Sequence, residues 1–105
     1  MKYIVPLQCD ENRQPTGVFS IFTSEGPLVI IFSNLPKWHR FREAAAAALA
    51  RDGKYIASTE IEADSIDGVV DELESLDPAI TEQATFVPDT APIVADVLAF
   101  FEQQG

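Results

Sequence analysis

The residues best suited to chemistry lie in one segment, Pro36-Lys-Trp-His-Arg-Phe-Arg42. It holds the only Trp, the only His and three of the seven Lys and Arg residues of a chain whose formal net charge is -10. Pro36 suits the first turn of a helix, where its missing N–H is not needed. Lys37, His39, Arg40 and Arg42 then stand beside free backbone N–H groups at a positive helix end, an arrangement that binds anions. Trp38 would give such a ligand a wall or stacking surface. The plainer reading of the same residues is an amphipathic helix. Trp38 and Phe41 then pack on the core, Lys37 and Arg40 face water, and His39 and Arg40 reach Glu43 one turn on. The plainer reading is favoured, because surface cations are common and three of them make a weak motif. Lys37, Trp38, His39, Arg40 and Arg42 are kept as the candidate ligand site.

Other reactive side chains lack companions. His39 stands alone, whereas a general base or a zinc ligand needs partners at defined spacing. Ser24, in Phe22-Thr-Ser-Glu-Gly26, lacks the Gly-x-Ser-x-Gly elbow and precedes a strand, so Ser24, Glu25 and Gly26 read as turn residues. Cys9 has no second cysteine to pair with and is expected as a half-exposed structural thiol. Glu60, Glu62, Asp64, Asp67, Asp71, Glu72, Glu74 and Asp77 do not follow the spacing of a calcium loop, and a helix through most of them spreads carboxylates outward. There is no glycine-rich phosphate loop. No catalytic residue, metal or cofactor is expected.

The charge is divided along the chain. Residues 1–54 hold all seven Lys and Arg with five acidic residues, whereas residues 55–105 hold twelve acidic residues and no basic one. A field of that sign disfavours phosphate backbones and anionic lipid, so neither nucleic acid nor a membrane is an expected partner. A protein partner is expected, basic in one reading, although acidity also serves solubility alone. The N-terminal apolar run is about four residues, short of the roughly seven of a signal peptide. Leu28–Phe32 is far short of the about 20 residues of a membrane span. A soluble, cytoplasmic protein is expected.

These residues need elements to position them. At 105 residues the chain reads as a single domain, long enough to bury a core without disulfides. Strands are expected at Lys2–Gln8, Val18–Thr23, Leu28–Ser33, Lys54–Ile61 and Ala84–Val87. Pro6 places the first at a sheet edge or bulge, and the short Ser-Glu-Gly-Pro turn joins the second and third as a hairpin. The first helix runs from Pro36 to Asp52, capped by Asn34 or Leu35 and ended by Gly53. A second, Asp64–Leu76, carries Ile66, Val69, Val70, Leu73 and Leu76 on one face and stops at Pro78. Thr90 caps a last helix with a wide apolar arc of Ile93, Val94, Val97, Leu98, Phe100 and Phe101. The order β-β-β-α-β-α-β-α gives an α+β or α/β fold, a mixed five-stranded sheet with helices packed on it. The first two helices are long enough to join parallel strands. The breadth of the last helix and the edge at Pro6 also point to a homodimer.

Ile4-Val-Pro-Leu7 on the first strand and Phe22-Thr-Ser-Glu25 at the end of the second resemble the N-terminal domain of the SseB-like family. Its members look like small α/β modules without an assigned catalytic centre. The resemblance implies a non-enzymatic module and carries no functional residue across. Gly26-Pro27 and an apolar strand stand here where that family has a helix. Three functions follow from the sequence: a non-catalytic protein-interaction or regulatory module, a small-molecule anion binder or enzyme with its site at the N-terminus of the 36–52 helix, and an acidic inhibitor or immunity-type protein that binds a basic partner.

Overall fold

The computed structural model describes residues 1–104, which form six strands and four helices in a mixed α+β arrangement. Three strands make the first sheet. β1 (Lys2–Cys9) lies in its middle, with β2 (Pro15–Val18) on one side and β5 (Tyr55–Glu62) on the other, both antiparallel. The second sheet holds β3 (Ile21–Thr23), β4 (Gly26–Ile31) and β6 (Thr85–Pro88). β4 is central, antiparallel to β3 and parallel to β6. The expected single five-stranded sheet is therefore two three-stranded sheets. They meet at one antiparallel bridge, where Ile4 and Phe32 exchange N–H···O bonds of 2.7 and 2.9 Å.

Pro6 explains the division. It is buried in the central strand, so of the two expectations the edge is not found, whereas the register of β1 with β2 does shift as at a bulge between Gln8 and Cys9. Its carbonyl accepts from the Phe19 N–H at 2.9 Å, but it has no N–H to return to that segment. The ladder with β2 stops there. The chain leaves β1 at Phe19-Ser20 and pairs with β4 instead, so the expected Val18–Thr23 strand is split between two sheets. Beyond Pro6 the same edge of β1 is taken up by Phe32 through Ile4. The β3–β4 hairpin forms as expected, with Ser24 and Glu25 at its tip and Thr23 Oγ1 donating to the Gly26 carbonyl at 2.9 Å.

Side-chain alternation along the strands gives the layer two apolar faces. Ile4, Leu28, Ile30 and Phe32 pack on α1 (Leu35–Ala50) and α4 (Pro92–Gln104) through Trp38, Phe41, Ala45, Val94, Val97 and Phe101. Tyr3, Val5, Val29, Ile31 and Ile61 pack on α2 (Ile66–Leu76) through Val69 and Leu73. Neither of the first two helices joins paired parallel strands. Each links a strand of one sheet to a strand of the other, and β4 and β6 are the parallel pair. Pro78 ends α2 but also opens a short α3 (Pro78–Gln83) that the periodicity did not show. Asp77 caps it by accepting from Ile80 N, and its other oxygen takes the outward Val18 N–H of β2 at 3.2 Å. A Cβ on Gly17 would sit 3.0 Å from that oxygen, so a larger residue there would press on the Asp77 carboxylate. α4 starts at Pro92, two residues after the expected Thr90 cap.

α4 turns Val94, Val97 and Phe101 inward, while Ile93 and Phe100 stay exposed, Phe100 at 55%. Of the arc that, with an edge strand as the alternative, raised the expectation of a homodimer, these two side chains are the exposed apolar ones. Sedimentation equilibrium at physiological salt should find any self-association removed by Phe100→Ser. A dimer unaffected by that change uses another face.

Candidate functional site

The candidate residues do not stay together. Asn34 caps α1, its side chain accepting from Lys37 N at 3.0 Å, and Pro36 lies in the first turn. Trp38 is 3% exposed, its ring 5.3 Å from Phe32 and 6.2 Å from Phe41. It belongs to the core and offers no wall to a surface ligand. Lys37 and Arg40 both line the cleft between α1 and α4. Arg40 donates to Glu102 of α4 at 3.0 Å instead of reaching Glu43. His39 and Arg42 are exposed, do not line that cleft, and their side chains make no hydrogen bond or ion pair among the described residues.

The N-terminus of α1 already holds an anion, and it is part of the chain. Asp89 follows β6 and is 5% exposed. Its N–H donates to the Ile31 carbonyl at 3.1 Å, which fixes the turn. Its Oδ2 accepts from Ser33 N at 2.9 Å and Asn34 N at 3.0 Å, and its Oδ1 accepts from Ser33 Oγ at 3.3 Å. A carboxylate at this end answers the helix dipole and pairs N–H groups that a free anion would otherwise use. The first turn then keeps one donor, Leu35 N–H, without an acceptor among the described residues. Asp89 was not among the candidates. It lies 55 residues from Asn34 and 56 from Ser33, and the sequence offers Thr90, not Asp89, as the cap in that turn.

What remains at the candidate site is a cleft of about 320 Å³. Phe32, Phe41, Val94 and Leu98 make it apolar, and its charged lining is Lys37, Arg40 and the already hydrogen-bonded Asp89. Lys37 makes no ion pair among the described residues. Such a lining suits a small molecule with an apolar body and an acidic head, near the lower end of usual pocket sizes.

The acidic residues form no convergent centre. Glu60, Glu62, Asp64, Asp67, Asp71, Glu72 and Glu74 are all exposed. No three His, Cys, Asp or Glu side chains among the described residues converge as a metal-ligand set. Cys9 is buried at the end of β1, not half-exposed. No helix among the described residues is long and apolar enough to cross a membrane. Fold and site together define a mixed α+β chain with a self-capped first helix, a small apolar cleft and exposed carboxylates along β5 and α2. Comparison with protein-family models, with curated proteins and with solved structures finds no match for this chain. The likeness to the SseB-like family stands on Ile4–Leu7 and Phe22–Glu25 alone.

Proposed function

We propose that this protein is a non-catalytic interaction module of the cytoplasm whose partner is a basic protein. One observation carries the reading. Every carboxylate from Glu60 to Glu74 is exposed, and of these only Glu62 meets a cation, the Met1 amine at 3.3 Å, among the described residues. Carboxylates left uncompensated create a field that speeds encounter with a positive patch and repels acidic surfaces. The SseB-like resemblance agrees with a module that works by contact. Titration with a lysine-rich peptide and its glutamate-rich counterpart tests the proposal. Only the former should bind, at least about tenfold more weakly as salt rises from 0.05 to 0.3 M. Equal binding of both peptides, or of neither, would overturn it.

The α1–α4 cleft favours a second reading, the binding of a small apolar carboxylate. A thermal-shift series of aromatic and medium-chain carboxylates should then raise Tm, with about 2.7 kcal/mol of added stability at 100 times Kd. Lys37→Ala should reduce the shift. A flat response at millimolar concentrations would exclude this reading.

A further inference from the structure

We infer that the outer edge of β5 receives a strand from the partner, and that this strand carries Lys or Arg at alternate positions. The inference rests on the proposed reading of a basic partner and adds where and how it docks.

The hydrogen-bond directions of β1 set the argument. Ile4 and Pro6 direct their backbone groups away from β5, to Phe32 and Phe19. Strand alternation then turns Tyr3, Val5, Leu7 and Cys9 towards β5, where they face Ile61, Thr59, Ala57 and Tyr55. The Ala63 N–H, donating to the Met1 carbonyl at 3.0 Å, continues the same phase. The intervening residues Ile56, Ser58, Glu60 and Glu62 therefore point N–H and C=O outward. β5 has no neighbour on that side, and these groups have no partner among the described residues.

The other edges are shorter or already engaged. β3 and β6 span three and four residues, and the outward Val18 N–H of β2 is held by Asp77. β5 alone offers eight residues, enough for about 26 Å of pairing.

An open edge of this length invites pairing, and charge decides with whom. Ser58, Glu60 and Glu62 are exposed, and Glu60 makes no ion pair among the described residues. A paired strand places one of its own side chains directly opposite each of these, about 4.5–5.5 Å away between Cβ atoms. Lys or Arg there meets Glu60, while Glu or Asp is repelled. Edge charge usually guards against association with like chains, so the same feature that discourages a second copy selects an oppositely charged strand.

The test uses the full chain and a synthetic seven-residue peptide alternating Lys and Val, read by amide NMR with hydrogen exchange. The expected result is slowed exchange at Ile56, Ser58, Glu60 and Glu62, with little change at Ala57, Thr59 and Ile61, which β1 already protects. The Ser58→Pro variant removes an outward N–H that no other residue uses, and should weaken binding about tenfold or more. Glu60→Lys keeps every backbone group and should shift preference to a Glu-Val peptide. Peptide binding confined to α2, without the alternating pattern on β5, would overturn the edge and leave the acidic-surface reading standing. Failure of every lysine-rich probe to bind would overturn both. Protection of the same four amides in the protein alone, with a dimer mass, would replace the basic strand by a second copy.

Discussion

Asp89→Ala should lower the unfolding free energy by about 2–3 kcal/mol, because it strips the acceptors from Ser33 N, Asn34 N and Ser33 Oγ at once. For a domain of this length that is a fall in Tm of roughly 10–15 °C. Asp89→Asn is the informative companion. Its amide oxygen can take the Oδ2 position and keep both backbone bonds, while its NH₂ faces the Ser33 hydroxyl. The loss should then be about 1 kcal/mol, mostly the interaction of the charge with the positive end of α1. Thermal and urea unfolding of the two variants separate these effects. Equal losses would show that charge, and not the placement of the acceptors, holds this end of the helix.

Phe41→Ala should be the most damaging single truncation, at about 3–5 kcal/mol. Phe41 is 1% exposed and its ring lies 5.1 Å from Phe32, 5.7 Å from Phe101 and 6.2 Å from both Phe19 and Trp38. These aromatics join α1, α4, β4 and the Phe19 crossing, so the cavity opens where four segments meet. Trp38 is the only tryptophan, and its emission should shift to the red as that cavity admits water. Phe100→Ala, at an exposed position on the next helix, should change stability by less than about 0.5 kcal/mol. Comparable losses at the two positions would contradict the placement of this core.

Much of the layout was legible because its causes are local. Pro36 and Gly53 bracket α1, the spacing of Ile66, Val69, Val70 and Leu73 marks α2, and a short turn joins the β3–β4 hairpin. What escaped depends on contacts distant in sequence. The break at Phe19-Ser20 has no signal in those residues. It comes from the donor that Pro6 lacks, on another strand. α3 was hidden because Pro78 both ends one helix and opens the next, with Asp77 as the shared cap. The candidate ligand site suffered in the same way. A basic helix start reads as an anion site until a carboxylate distant in sequence, at the end of the neighbouring strand, is seen to cap it. The acidic surface was legible as composition, but its use is not. Composition cannot say which strand edge stays open, whereas the register of β1 with β5 can.

The most direct measurement is affinity capture from the cells that make the protein, with the natural chain beside a variant carrying Glu60→Gln, Glu62→Gln, Asp67→Asn and Asp71→Asn. These side chains are exposed, so their neutral counterparts should leave the fold intact. If this is an interaction module for a basic partner, the natural chain retains a basic protein that the variant loses, and that protein is released as salt is raised. Retention of the same proteins by both chains, unaffected by salt, would contradict the account.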